Sequence, residues 1–496
     1  MLVPTGEDFH LSLDSTGVFV YFALRGHRFL LNGNTGFFRA LLADFAVEAL
    51  DAMLLPDAER EAAWASVRDR YGRDGRELVE QLVQVRKGTH DCLAAERRME
   101  CFRTRGAPAT FTVYLAQACN QRCRYCYSQG GTFGRKAAVM SCETAKEVLA
   151  FLLRQARALP DRELSVMLFG GEPLMALDAL RLLVRGVHAY NRENPGHVIH
   201  LVLTTNGSLW DDEVFRVFAA DPKSYLIGVS LDADRATHDG NRPFVAEGRG
   251  SPFDGALATI CRLRELGCRV SATCVVSRPY DFIGAAKSLR ALGLHSFELK
   301  QPIFHVYGQE QLPSVLTRDF DAWREGYLRY CDYYLDHVTE LSAACFIDRV
   351  ATVCETTRLL HRDDGTTLAC GAAEKKVSVA VDGTLMACES FMGAPESALG
   401  DVRDGFDPQK CEAFEGWLLS AGQHRVDVPR CRDCFAKRFC GGGCYAASVD
   451  RTGRIEPLDD ADCRYVREQL KIDLYFTSQL RQRHPAQWAS CLWGET

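Results

Sequence analysis

Three cysteines, Cys119, Cys123 and Cys126, form a C-x3-C-x2-C run directly after an apolar, strand-like stretch at 111–115. Soft sulfur donors at this spacing suit iron–sulfur chemistry: three thiolates hold three irons of a 4Fe–4S cluster and leave the fourth iron open to a small molecule. An open iron fits catalysis better than simple electron carriage. The competing reading is a zinc knuckle.

The chain around this loop constrains the fold further. From 106 to 301 strand-like and helix-like patterns alternate, with strands expected at 111–115, 165–169, 199–204, 225–230, 269–276 and 296–300. Six βα units in order predict an α/β fold with a parallel sheet, either open or curled into a partial (β/α)6 TIM-like barrel. Its site belongs at the C-terminal strand ends, where the cysteine loop falls.

Residues 1–105 read as a small α+β module. Apolar runs at 18–24 and 28–31 flank Arg25-Gly26-His27 as a hairpin, and helical patterns follow at 58–71 and 77–86. Such a module can recognise a peptide by adding it as a strand, or simply pack against the barrel. Residues 302–369 read as a helical bridge and 370–470 as a cysteine-dense domain; 471–496 make a C-terminal helix and tail.

With 21 cysteines among 496 residues and no signal-peptide pattern at the start, thiols point to metal ligation rather than a disulfide framework. Cys261, Cys268, Cys274 and Cys331 sit in apolar patterns and read as core residues. The net charge of −6 gives no broad case for nucleic acid, and no uncharged run reaches a membrane span. The expectation is a cytoplasmic protein that engages neither nucleic acid nor membrane.

Polar and glycine-rich tripeptides and tetrapeptides close the next strands: Gly170-Gly171-Glu172-Pro173, Thr204-Thr205-Asn206-Gly207 and Ser230-Leu231-Asp232. Glycine allows close backbone approach, and Glu172 can hold a neighbouring backbone group or a ligand amine. With the cysteine loop and its aromatic Tyr125, these residues resemble the radical S-adenosylmethionine (SAM) enzymes over about 108–300. The resemblance implies cluster ligation by Cys119, Cys123 and Cys126. It implies SAM contacts near Tyr125, Gly170, Gly171 and Glu172, with Asn206 and Ser230 on the ribose side. His238 and Arg242 either orient a carboxylate or form a loop salt bridge.

In the C-terminal third, Cys370, Cys388, Cys431, Cys434, Cys440, Cys444 and Cys463 occur in the order and spacing of the SPASM extension of radical SAM enzymes. That resemblance implies two auxiliary 4Fe–4S clusters, three clusters in all. Cys370, Cys388 and Cys444 would bind the first, and Cys431, Cys434, Cys440 and Cys463 the second. Cys354, or less well Cys345, is the candidate fourth ligand of the first; the alternative is an open iron for a substrate thiolate. Two zinc sites are the competing reading.

The wording around the loop and at His238-Asp239-Gly240-Asn241-Arg242-Pro243 is similar to peptide maturases that install thioether crosslinks. These include maturases of six-cysteine peptides and of the small subunit of quinohemoprotein amine dehydrogenase. Ala233 departs from the glycine many relatives carry there. The implied activity is thioether formation in a ribosomally made peptide or small protein, fed by a cellular electron donor. Asp232 and Glu389 are the candidate catalytic bases; Glu389 stands where sulfatase-maturing relatives carry Asp. Formylglycine formation in a sulfatase, carbon–carbon or carbon–oxygen crosslinking, and a non-enzymatic iron–sulfur electron carrier are the alternatives.

Overall fold

The computed structural model describes residues 9–13, 17–25, 27–32, 38–41, 48–49, 52, 55–95, 108–300 except 160, 162, 223, 278, 294 and 295, 319–338, 372–373, 376–427, 431, 434–440, 443–454 and 460–488.

Near the N-terminus the expected hairpin is the centre of a larger unit. β1 (Phe9–Leu13), β2 (Gly17–Leu24), β3 (His27–Asn32) and β4 (Phe38–Leu41) form an antiparallel meander in that order. Phe22 and Phe29 stack across β2 and β3 with ring centroids 5.0 Å apart, a cross-strand aromatic pair on one face of the pleat. The two helical patterns expected next merge into α1 (Asp57–Ala95), kinked at Gly72, whose φ of 58° only glycine adopts without strain.

The central sheet begins at β5 (Thr110–Gln117), which ends in the cysteine loop; a short β6 (Ala138–Val139) returns to pair with its end. Then β7 (Leu164–Gly170), β8 (Ile199–Thr205), β9 (Tyr225–Ser230), β10 (Arg269–Val275) and β11 (Ser296–Lys300) add in parallel, in sequence order. Helices lie between them: α2 (Cys142–Ala158), α3 (Leu177–Glu193), α4 (Asp212–Ala219), α5 (Arg235–Asn241), α6 (Pro252–Glu265) and α7 (Phe282–Ala291). Side-chain oxygens cap several of them; Asp211, for example, accepts from the Glu213 and Val214 N–H groups at 2.9 Å each.

Burial alternates along the strands with the period of two that separates the faces of a sheet. One face meets helices: Phe111 packs edge-on against Phe151 of α2 at 5.5 Å, and Tyr225 against Phe218 of α4 at 5.4 Å. The opposite face is only partly covered and carries Phe169, Thr204, Ser230, Thr273 and Lys300 toward the C-terminal strand ends. On that face Thr204, Ser230, Thr273 and Lys300 make the strand ends polar, while Val202 and Leu226 are apolar below them.

Pattern reading does not foresee the continuation of this sheet. After α8 (Phe320–Asp336), β12 (Lys376–Val379) joins β5 on its free edge in parallel, with Val379 opposite Val113. β13 (Thr384–Met386), β14 (Ala398–Asp401) and β15 (Gly405–Phe406) then extend it antiparallel. The expected hairpin at Asp382-Gly383 links β12 and β13, with Gly383 at φ 92° and the Thr384 N–H bonded to Asp382 Oδ1 at 3.0 Å. The sheet therefore crosses the boundary expected near 370.

Downstream come α9 (Pro408–Asp427), α10 (Lys437–Cys440), α11 (Tyr445–Thr452) and α12 (Asp460–Arg483). α12 packs along α8 through Trp323 and Tyr465 at 4.6 Å and a buried hydrogen bond from Tyr327 to Asp473 at 2.9 Å. It also meets the N-terminal sheet, where Phe29 stands edge-on to Tyr475 at 6.3 Å. No helix among the described residues is long and apolar enough to cross a membrane.

Candidate cluster and nucleotide site at the barrel mouth

The cysteine loop turns back over the end of β5 and is held by donors aimed at its sulfurs. Cys119 Sγ accepts from the Gln121 N–H at 3.4 Å and from Asn206 Nδ2 at 3.8 Å; Cys126 Sγ accepts from the Gly130 N–H at 3.2 Å. Burial pushes the Cys119 thiol up to about 12 and the Cys123 thiol up to about 11, so bare thiolates are unfavourable here and need compensating positive charge.

Glycines in two motifs serve one close approach. A Cβ on Gly171 would lie 2.1 Å from the Gly130 oxygen and 2.3 Å from that of Ala118; one on Gly131 would lie 2.4 Å from the Gly171 nitrogen. Backbone bonds fix this contact, from Gly171 N to Ala116 O at 2.8 Å and from Glu172 N to Ala118 O at 2.9 Å. The first role of Gly170-Gly171 is thus to admit the cysteine loop, a packing role that a ligand-contact reading alone misses.

A second segment braces the loop from the other side. Arg122 N bonds to Pro243 O and Arg124 N to Asn241 O, both at 2.8 Å, and Val245 N to Asn120 O at 2.9 Å. Beneath this brace Asp232 is fully buried. It accepts from Tyr125 Oη at 2.6 Å, from Arg242 Nε and Nη2 at 3.2 Å each, and from the Val275 N–H at 3.1 Å. Arg242 also lies over the Tyr125 ring at 5.2 Å. Burial alone would lower the Arg242 pKa, but Asp232 holds it well above the ordinary range.

With no solvent exposure and both oxygens engaged by the chain's own donors, Asp232 pairs with Arg242 as its counter-ion. Tyr125 and Arg242 are spoken for in the same way: their polar atoms join the cysteine loop to the end of β9. His238 completes the unit, its Nδ1 accepting from the Asp232 N–H at 3.1 Å. Burial lowers its pKa to about 4, which keeps it neutral.

Glu172 is also fully buried. Oε1 accepts from the Leu174 N–H at 3.1 Å and Thr205 Oγ1 at 2.8 Å; Oε2 accepts from the Asn206 N–H at 2.7 Å. Of its two expected roles, the structure places it on neighbouring backbone, where it ties the end of β7 to that of β8. Burial raises its pKa to about 7 against the pull of those donors. Asn206 is engaged with Asn120 and Ser208 at 2.8 and 2.6 Å, so an Asn–Asn–Ser cluster that sequence reading overlooked props the loop beside Cys119. Ser230 stands among the polar strand ends of the less covered face.

The C-terminal cysteines enter from the other edge. Cys388 is buried two residues beyond β13, and Glu389 follows it. Glu389 Oε1 is ion-paired with Lys376 of β12, while Oε2 is buried with no hydrogen-bond partner. Tyr114 of β5 and Tyr127 of the cysteine loop lie close by. Burial raises both their pKa values, and the nearby charges of Glu389 and Cys388 add to the effect. Cys431, Cys434, Cys440 and Cys463 are partly buried and Cys444 is exposed. Cys345, Cys354 and Cys370 lie outside the described residues.

Among the described residues, no three His, Cys, Asp or Glu groups converge closely enough for a single metal ion. A polynuclear cluster spreads its sulfurs more widely than one ion does. The backbone and amide donors directed at Cys119 and Cys126, and the glycine-lined approach around them, fit a cluster held by Cys119, Cys123 and Cys126.

Comparison with known proteins agrees with this geometry. Residues 113–281 match the Radical SAM superfamily. A serine-type anaerobic sulfatase-maturating enzyme of Klebsiella aerogenes is 26% identical over 371 residues, covering 71% of this chain and 82% of that protein. Among solved structures, anSMEcpe with bound AdoMet overlays at TM-score 0.62 and 18% identity, covering 78% of this chain and 98% of its own. Streptococcus suis SuiB bound to S-adenosylmethionine overlays at TM-score 0.54 and 16% identity, covering 89% and 98%. At these identities the two overlays establish the shared radical SAM α/β fold.

Proposed function

We propose that the chain is a radical SAM peptide or protein maturase, and that it forms thioether crosslinks within a ribosomally made polypeptide. The observation that carries this reading is the pairing of β12 with β5, which joins the segment of Cys388 and Glu389 to the sheet that bears the cysteine loop, near Tyr114 and Tyr127. The SuiB overlay, wider over this chain than that of anSMEcpe (89% against 78%), supports a chain built on the larger peptide-maturase plan. SuiB has been solved with its precursor peptide SuiA, and anSMEcpe with the Cp18Cys and Kp18Cys peptides.

When bound, reduced cluster and SAM supply a 5′-deoxyadenosyl radical able to take hydrogen from an unactivated carbon. The chain's residues orient and enclose. Cys119, Cys123 and Cys126 ligate, Gly170 and Gly171 keep the loop low over the strand ends, and Ser230 offers a hydroxyl to the nucleoside. Cys370, Cys388 and Cys444, with Cys354 as a further candidate, and Cys431, Cys434, Cys440 and Cys463 would hold two auxiliary clusters. Glu389, pinned by Lys376 through one oxygen, is a candidate to take the thiol proton. The N-terminal sheet, with its edge strands β1 and β4, is the candidate peptide-recognition element.

The second reading, formylglycine formation in a sulfatase, is favoured by the Klebsiella relative. Mass spectrometry of candidate peptides co-expressed with the protein separates the two. Loss of two hydrogens with disappearance of alkylatable cysteine supports thioether formation. Retained cysteine, or an aldehyde trapped by hydrazide, overturns it.

A further inference from the structure

Gln121, inside the cysteine loop, has hydrogen bonds that suit free thiols and do not suit ligated sulfurs. The residue is 2% exposed and touches two of the three cysteines. Its backbone N–H donates to Cys119 Sγ at 3.4 Å, and its side-chain Oε1 accepts from the Cys123 thiol at 3.8 Å. Its Nε2 is enclosed by protein and has no hydrogen-bond partner. The backbone is held in place: Gln121 forms an antiparallel bridge with Phe244, and the Arg122 N–H bonds to Pro243 O at 2.8 Å. A buried amide donor left unpaired is rare in folded proteins and asks for an explanation.

Ligation reverses the polarity of the Cys123 contact. A thiol has a proton to give, and the carboxamide oxygen takes it. A ligated thiolate has none, so the same oxygen would face sulfur lone pairs. The two ends of a carboxamide have nearly the same shape, one accepting and the other donating. A half-turn about the last side-chain bond therefore exchanges Oε1 for Nε2 without moving the loop. It removes the repulsion and gives an enclosed N–H an acceptor. The oxygen that takes its place tolerates the lack of a partner better than an N–H does.

We infer, on the radical SAM reading above, that Gln121 donates a hydrogen bond to the sulfur of Cys123 in the cluster-loaded protein and thereby favours the reduced cluster over the oxidised one. The reduced state carries one more negative charge, shared by its sulfurs. A donor fixed at one of them lowers the energy of that state more than the energy of the oxidised state. The role is specific to a neutral donor. A carboxylate at this place would add a negative charge and act in the opposite sense.

The test is a redox titration of the full chain, reconstituted anaerobically and followed by electron paramagnetic resonance. The signal that shifts when SAM is added identifies the cluster of Cys119, Cys123 and Cys126. Gln121→Leu, similar in volume and without a donor, should bind as much iron as the wild type. Its reduction equilibrium should move about tenfold toward the oxidised state, about 59 mV for one electron. Gln121→Glu should move it further in the same direction. Pulsed hyperfine spectroscopy of wild-type protein, labelled with nitrogen-15 at the glutamine side chains, should show that nitrogen coupled to the SAM-sensitive signal. Gln117→Leu, which removes the neighbouring buried carboxamide, should leave the coupling in place.

An unchanged potential in iron-replete Gln121→Leu overturns the donor. So does the absence of glutamine coupling in the wild type, a measurement that stands even where the variants fold poorly. No cluster signal in any form would sink the radical SAM reading, and this role of Gln121 with it.

Discussion

The two cysteine regions are built differently. The first loop is wedged between Gly170-Gly171 at the end of β7 and a brace at 241–245, over the buried Asp232–Arg242 pair. Backbone hydrogen bonds from both sides hold it. The second region contributes one buried cysteine, Cys388, from a hairpin welded to the same sheet, while Cys431, Cys434, Cys440, Cys444 and Cys463 lie on short turns and helix ends with more solvent contact. A site that must hold a reactive nucleotide in one pose gains from a scaffold that is rigid before it is loaded, whereas redox centres mainly need to be near.

The sharpest test of that contrast is to remove one cysteine from each region. Cys126→Ala should abolish reductive formation of 5′-deoxyadenosine from SAM. Cys388→Ala should leave that cleavage largely in place and eliminate modified peptide, as read by chromatography and mass spectrometry of one reaction. Loss of cleavage in both variants would mean that the regions are not separable.

A smaller effect is expected in the brace. Arg242→Leu leaves Asp232 buried without its counter-ion, and breaking such a pair costs about 3–5 kcal/mol, measurable by denaturant unfolding of the anaerobically purified protein. A cost under about 1 kcal/mol would show that the loop does not depend on the pair.

The smallest effect is a pH slope. His238 is held neutral, with its pKa lowered from 6.5 to about 4 by burial first and by Arg242 second. Between those values the unfolded chain binds a proton that the folded chain refuses, so this residue makes stability fall as pH drops from 6.5 toward 4. His238→Asn should flatten that part of the stability profile, and an unchanged slope would remove His238 from the account.

Much of the site was legible in the chain itself. The C-x3-C-x2-C spacing, the strand before it and the glycine pair after the next strand are local patterns, and local patterns survive reading one residue at a time. The role of Asp232 was not legible, because whether a carboxylate is a base or a counter-ion depends on what surrounds it. Tyr125, Arg242 and the Val275 N–H come from three separate stretches of sequence. The His-Asp-Gly-Asn-Arg-Pro stretch signalled that something is held there without saying what.

Sequence alone determined the alternation of strands and helices from β5 to β11 and marked the cysteines that are candidate sulfur donors, since both follow from periodicity and from the chemistry of thiolates. Only the tertiary structure decided that β12 closes onto β5 and that Glu172 accepts from the backbone at the end of β8. Pairing between distant strands and the burial of a charge are properties of the packed whole, where desolvation and neighbouring donors outweigh any preference a residue carries by itself.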